Sequence, residues 1–572
     1  MKTIYPKQQS EKFASIRDML DNSAARFGDS VLYRYFKKGS EIGEMTYKEV
    51  RADVDKIGTA LAARGLRTAT VAVLSESRPE WMISFLAVVC GGGLAVPMDK
   101  ELLDDQLCNF LERAGVEAVF CSETYAKKLE AMRDRLPTLR YLFDFDGAPE
   151  GSDLHEDYKA LIEKGELLLS DNYMEYTKAR FDTKKPSVLL FTSGTTGTSK
   201  GVLLSQDNLT SCIFHSVNMV DAHFGDVLFS VLPLHHTYEL VCGELGGICL
   251  GCTTCFNNSL KYFNRNIRIF KPTVMILVPL FVSTMYKRIT EEVRKKEKEA
   301  AISRGIRITK LLRKAHIDLR KRLFAEVLDG FGGRLRSIIC GGAPLDADLV
   351  DRFDEFGIGI SQGYGITECS PLVCVVPYTA MRHGSVGLPA YGSVVKIVTT
   401  DEGGFEQDAP VGEIGEICVK SPQVMLGYFE DEERTAAAFN SEGYFRTGDF
   451  GKVDEDGYLY ITGRKKNLII LSNGKNVYPE EIEEYLSPIE EIKECVVLAR
   501  GQQDGEPLIT AVIYPDFGLL KGKTDGEIEA FIKEKVQEVN KKLPAFKQIR
   551  NIELRKTEFE KTTTQKILRH KV

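Results

Sequence analysis

The sequence has no surplus of basic residues. Lysine and arginine number 75 against 82 aspartates and glutamates, a formal net charge of −7. That balance argues against nucleic acid as the main partner, because phosphate-backbone binders carry a basic excess. A secretory start is missing too. Met1-Lys2-Thr3-Ile4-Tyr5-Pro6-Lys7-Gln8-Gln9 has no basic segment followed by an apolar run, so a cytoplasmic location is expected. Nor is there an unbroken membrane-length apolar span. The uncharged stretch Trp81 to Met98 is divided by Gly91-Gly92-Gly93 into a helix-like half, Trp81 to Cys90, and a strand-like half, Leu94 to Val96, closed by Pro97. It reads as buried helix, turn and strand. Internal repeats are absent. A fourth cysteine is missing from Cys249-Leu250-Gly251-Cys252-Thr253-Thr254-Cys255, whose CxxCxxC spacing would otherwise fit part of an iron–sulfur ligand set. These three thiols, like the rest of the thirteen cysteines, are expected reduced, in packed core or at the surface.

At 572 residues and 43% hydrophobic composition, the chain can form two or more packed domains. From residue 11 to 185, helical patterns (Ser15 to Arg26, Thr46 to Arg64, Asp104 to Ala114, Ser122 to Leu136) alternate with short strands such as Thr70 to Leu74 and Ala118 to Cys121. This cadence predicts a parallel α/β sheet. It resumes with strands near Val227 to Val231, Val274 to Val278 and Leu335 to Cys340, predicting a second α/β layer. Short strands and tight turns from Ser393 to Asp456 predict a small antiparallel β subdomain. From about Gly463 a separate α+β unit is expected, with a helix start at Pro479-Glu480-Glu481 and a late helix from Asp525 to Lys542. Between Arg288 and Arg336 basic residues outnumber acidic ones, with Ile306, Ile308, Leu311, Leu312 and Leu319 interleaved. This reads as a solvated helical pair, with a peripheral surface facing a membrane or an acidic cofactor as the alternative.

The stretch with most chemical content is Phe191-Thr192-Ser193-Gly194-Thr195-Thr196-Gly197-Thr198-Ser199-Lys200-Gly201, after the apolar run Ser187-Val188-Leu189-Leu190. Glycines let backbone N–H groups approach an anion, hydroxyls add donors and Lys200 adds charge, so a polyphosphate is the natural ligand. The spacing is not that of a Walker A loop, since Ser199 precedes Lys200 and Gly201 follows it. Four more segments accompany it: Gly341-Gly342-Ala343-Pro344-Leu345, Gln362-Gly363-Tyr364-Gly365-Ile366-Thr367-Glu368, Tyr444-Phe445-Arg446-Thr447-Gly448-Asp449 and Gly463-Arg464-Lys465-Lys466. His235-His236-Thr237-Tyr238-Glu239 also leaves open a metal set of His235, His236 and Glu239.

Together, from about Thr46 onward and in order and spacing, these segments resemble the adenylate-forming superfamily. That resemblance implies a large N-terminal domain over residues 1–465, made of two layered α/β subdomains and a β subdomain at about 393–460. It is hinged to a small C-terminal α+β domain over 466–572. It implies ATP, Mg²⁺ and coenzyme A as requirements, and formation of an acyl-adenylate followed by a thioester. By the same resemblance Gly342, Ala343, Pro344 and Tyr364 bracket adenine, Asp449 and Arg464 hold ribose and phosphates, and Thr192, Glu368 and Thr367 serve the metal and the phosphates. The phosphate-loop residues Ser193, Gly194, Thr195, Thr196, Gly197 and Lys200 join them, and His236 lies beside the acyl carboxylate. Lys566, in Lys561-Thr562-Thr563-Thr564-Gln565-Lys566-Ile567, matches the family's terminal catalytic lysine, with Gln565 where glycine is usual. Lys466 stands at the hinge, and Gly474 and Lys475 serve the thiol half-reaction. An acyl pocket is expected beside His236, Gly243, Gly246, Gly247 and Gly341. Within the superfamily, the charged insertion and Phe331-Gly332-Gly333-Arg334-Leu335-Arg336 look most like bacterial long-chain acyl-CoA synthetases. Fatty acid is therefore the expected substrate. Medium-chain or aryl acids, acyl carrier protein as acceptor, and a catalytically silent binder stay open.

Overall fold

The structure, a computed structural model, describes residues 5–6, 8–37, 39–149, 152–192, 199–401, 403–471, 476–503, 506–562 and 567–572. The uncharged stretch forms the helix Pro79–Cys90, in which every residue but Glu80 is buried, as an all-round apolar helix must be. Gly92, at φ +82°, turns the chain into the strand Leu94–Pro97. That strand belongs to a sheet ordered Gly427–Tyr428, Lys200–Ser205, Pro186–Thr192, Leu94–Pro97, Thr70–Leu74, Ala118–Cys121, Tyr141–Asp144, His155–Asp157. Its strands run parallel from Pro186–Thr192 to the His155 edge and antiparallel where Lys200–Ser205 joins.

The second large sheet is ordered Leu388–Pro389, Leu372–Val375, Gly359–Gly365, Ser337–Cys340, Val274–Leu277, Val227–Ser230, Thr253–Phe256, Val31–Phe36, Ile42–Thr46. Its last two strands precede the whole first sheet in the chain, and Val31–Phe36 runs parallel to Thr253–Phe256. The two layers are therefore interwoven, which local periodicity has no means of showing. Helices Tyr47–Ala63 and Tyr158–Ser170 pack so closely on each other that a Cβ on Gly165 would lie 1.9 Å from the Lys56 carbonyl oxygen.

The β subdomain comprises the antiparallel strands Glu406–Asp408, Val394–Thr400, Gly415–Lys420, Phe445–Val453 and Leu459–Arg464. It thus runs past Asp456 to Arg464, further than the turn pattern implied. Beyond it, Pro479–Leu486 and Asp525–Asn540 pack on Ile492–Gln503, Glu506–Pro515 and Asn551–Leu554 around their own core. Thr524 and Glu527 form the capping box that starts the late helix.

The charged stretch folds into Pro279–Lys295, Glu299–Lys314 and two short helices. Ile306 packs on the core while Ile308 and Leu311 are exposed. Among its cations, Lys296 and Lys298 pair with Glu326, and Lys310 with Glu355. Among the described residues no helix is long and apolar enough to cross a membrane. Cys249 and Cys252 pack in one core and Cys255 in another, because alternate side chains of Thr253–Phe256 face opposite sides of the sheet.

Candidate active site

A cavity of about 1080 Å³ lies where the two large sheets, the β subdomain and the C-terminal domain meet. On one side Thr192 and Lys200 are cross-strand partners, and the Thr192 hydroxyl donates to the Lys200 carbonyl at 3.4 Å. The Lys200 ammonium sits 4.8 Å above the Tyr428 ring, a cation–π contact that fixes the charge at the cavity wall. Ser193, Gly194, Thr195, Thr196 and Gly197 lie outside the described residues; Thr192 and Ser199, on either side of them, both line the cavity.

Opposite, the strand Gly359–Gly365 leads into the single turn Thr367–Cys369. Thr367 and Glu368 line the cavity there. The Tyr428 hydroxyl donates to Glu368 Oε1 at 3.0 Å, and the Glu368 carbonyl accepts from the Met425 N–H at 2.7 Å. Burial first, then the Glu368 charge, pushes the Tyr428 hydroxyl well above its ordinary pKa, so it stays a donor. Tyr428 escaped the sequence reading. It reaches Glu368 only because Gly427–Tyr428 pairs with Lys200–Ser205.

Asp449 and Arg464 face each other across two strands of the β subdomain, with Arg464 Nε 3.3 Å from Asp449 Oδ1. The Tyr364 hydroxyl donates to the other carboxylate oxygen at 2.6 Å. The Asp449 N–H donates to the Thr447 hydroxyl oxygen at 3.1 Å, a role the sequence reading did not give to that motif residue. Gly341 and Gly342 line the wall, whereas Ala343 and Pro344 are exposed beyond it. Gly341 is closely packed, since a Cβ there would stand 3.2 Å from the Gly363 carbonyl oxygen and 3.3 Å from the Tyr238 hydroxyl.

From the C-terminal side, Lys466, Lys561, Thr562, Leu568 and Lys571 line the cavity. Desolvation, then the Arg464 charge, lowers the pKa of the Lys466 ammonium. Lys561 is held by Glu494 and Glu558. Lys566, Gly474 and Lys475 lie outside the described residues.

The same cavity has an apolar limb walled by Val217, Val220, Leu228, Leu250 and Ile276. Gly246 and Gly247 line this limb, and a Cβ on Gly247 would meet Leu228 at 2.8 Å. Gly243 does not line it but lies behind Glu239. His235 and His236 also line the cavity, their rings 4.2 Å apart, with His235 Nε2 3.5 Å from Asp99 Oδ2. Glu239 is buried and reaches toward Ser230. The three side chains do not converge as metal ligands, and among the described residues no such His/Cys/Asp/Glu group forms.

The profile of the AMP-binding enzymes matches residues 20–429, and that of the AMP-binding enzyme C-terminal domain matches residues 466–572. The chain belongs to the AMP-binding enzyme family. Human long-chain-fatty-acid–CoA ligase 1 is 28% identical over 549 residues, covering 87% of this AMP-binding enzyme and 75% of that protein. The peroxisomal long chain acyl-CoA synthetase 7 of Arabidopsis thaliana is 29% identical over 490 residues, covering 80% and 67%. Among solved structures, ATP-bound MatB from Rhodopseudomonas palustris superposes with a TM-score of 0.73 at 25% identity, over 97% of each chain. The anthranilate CoA ligase AuaEII shares the fold at a TM-score of 0.78 and 22% identity, over 98% of this chain and 97% of that one. This AMP-binding enzyme is an AMP-forming acid–CoA ligase.

Proposed function

We propose that this enzyme activates a long-chain fatty acid with ATP, through an acyl-adenylate, to its coenzyme A thioester. The observation that carries the reading is the continuity of one cavity, from the polar groups Thr192, Lys200, Glu368, Asp449 and Arg464 to the apolar limb. A carboxylate needs a better leaving group than oxide before a thiol can displace it. One carboxylate oxygen therefore attacks the α-phosphorus of ATP, the bond from that phosphorus to the bridging oxygen breaks, and pyrophosphate departs. The thiolate of coenzyme A then attacks the acyl carbon, and AMP leaves with the carbon–oxygen bond electrons.

Asp449 suits the ribose hydroxyls, as an acceptor whose carboxylate Tyr364 and Arg464 hold while Thr447 accepts from its backbone N–H. Arg464 and Lys200 place positive charge beside the phosphates. The Glu368 carboxylate, with the Thr192 and Thr367 hydroxyls on the same cavity, is a hard-oxygen donor set that fits Mg²⁺. Bound there, the ion supplies charge stabilisation for the phosphates. Lys566 is assigned to the developing negative charge of the first step, and His236 to the side of the acyl carboxylate. Gly342, Ala343 and Pro344 are assigned to adenine. We assign residues 466–572 to a unit that turns about Lys466 between the steps, bringing Gly474 and Lys475 to the thiol. The human and Arabidopsis relatives, named for long-chain substrates, support the choice of acid.

The test is release of pyrophosphate and AMP with Mg-ATP across acids from acetate to palmitate and benzoate, with and without coenzyme A, and Lys566→Ala as control. Thioester formation that peaks with long chains is the expected result. A peak with benzoate overturns the long-chain reading, and adenylate that accumulates until acyl carrier protein is added reassigns the acceptor.

A further inference from the structure

Behind the apolar part of the cavity wall, reached through Glu239, lies a group of buried oxygen atoms that the reaction does not use. Tyr238–Leu245 is a π-helix, and its i→i+5 bonding sets residues five apart on the same side. Glu239 and Glu244 are five apart, and both carboxyls reach toward Ser230. The sheet beneath supplies the other side of the group. Leu228 and Tyr33 both pair with Thr254 in register, and Ser230 lies two residues after Leu228, so Tyr33, Thr254 and Ser230 share one sheet face. All five side chains are no more than 3% exposed. Among the described residues the Tyr33, Ser230 and Thr254 hydroxyls, Glu239 Oε2 and both Glu244 oxygens make no protein hydrogen bond of ordinary geometry, although Ser230 is near enough to act on both carboxyls, an unusual concentration for a protein interior. Glu239 also lines the limb itself, beside Cys242, Gly246 and Gly247. Gly243 makes room for it, since a Cβ there would stand 3.4 Å from Glu239 Cδ.

We propose that Glu239, backed by Ser230 and Glu244, hydrogen-bonds an oxygen substituent carried on the acyl chain, so that the preferred acid is a hydroxylated long-chain acid. This deepens the long-chain reading above and rests on it. Burial pushes the Glu239 carboxyl up to about 8. Burial, with the neighbouring Glu239 charge, raises Glu244 as well. A neutral carboxyl both donates and accepts, matching an alcohol. An unsubstituted chain would pass Glu239 without a hydrogen bond to it, the situation in which a site built for a hydroxyl rejects the analogue lacking it.

The experiment compares kcat/KM for palmitate and its monohydroxylated isomers, using the full chain, Glu239→Gln and Glu239→Leu, with metal analysis of the purified protein. At least one isomer should exceed palmitate by about tenfold or more in the unaltered enzyme. That preference should vanish in Glu239→Leu and persist weakly in Glu239→Gln. Palmitate equal to or better than every isomer overturns the inference without any variant having to fold, and leaves the long-chain reading intact. A preference that survives Glu239→Leu overturns it too, as does a stoichiometric metal ion lost from Glu239→Gln. If no long-chain acid is turned over, hydroxylated or not, the long-chain reading falls and this inference falls with it.

Discussion

Tyr364 and Asp449 are 85 residues apart in sequence, yet the tyrosine hydroxyl donates to the aspartate Oδ2 over 2.6 Å inside the cavity. The bond ties the last strand of the parallel run Val227–Gly365 to the β subdomain. With Arg464 on the other oxygen, it leaves the buried Asp449 carboxylate held in one orientation.

Removing that hydroxyl should loosen nucleotide binding without dismantling the site. For Tyr364→Phe the KM for ATP is expected to rise about five- to tenfold, the equivalent of one hydrogen bond at ~1 kcal/mol, with a smaller change in kcat. Asp449→Ala should cost at least tenfold more. ATP–pyrophosphate exchange measures both, and equal effects of the two variants would separate Tyr364 from the role of orienting Asp449.

Glu368 and Tyr428 form a second oriented carboxylate. Glu368→Gln is expected to lower the adenylation rate by about 10² or more, as loss of an electrostatic group at the reacting phosphates does. Tyr428→Phe should lower it only several-fold and raise the Mg²⁺ concentration needed for half-maximal rate. Magnesium titrations of single-turnover pyrophosphate release distinguish the two, and a Tyr428→Phe defect insensitive to Mg²⁺ would argue against this metal assignment.

Replacing Lys466 with proline should separate the half-reactions. Pyrophosphate release is expected to remain measurable while thioester formation disappears, because a fixed φ restricts rotation at that position. Equal loss of both steps would count against a turning C-terminal unit.

The buried carboxyl of Glu239 predicts a pH signature in stability. Its native pKa, raised by burial from 4.5 to about 8, keeps the folded state protonated where the unfolded chain has already lost the proton. Its contribution is therefore fully present below about pH 4.5, falls as pH rises and is lost above about pH 8. The swing is on the order of a few kcal/mol. Thermal unfolding across this window should show wild-type Tm falling relative to Glu239→Gln. A constant difference would mean that Glu239 is ionised in the native protein.

Much of this molecule was legible in local pattern. The break at Gly91-Gly92-Gly93, the capped late helix and the strand before Thr192 follow from apolar period, glycine and capping residues, which act within a few positions. The motif residues Thr192, Glu368, Asp449 and Arg464 were legible singly, and the structure brings all four to one cavity. Pairing over long separations was not legible. The hairpin Val31–Thr46 pairs into the second sheet beside Thr253–Phe256, Tyr428 reaches Glu368 through an edge strand, and Glu239 faces Ser230 rather than the histidines beside it. What the sequence alone determined was the set of elements and the chemical groups they carry, because helix, turn and cap preferences are local. Which groups share a cavity, and which carboxyls are stripped of water, only the tertiary structure decided, because burial and strand order depend on surfaces distant in the chain.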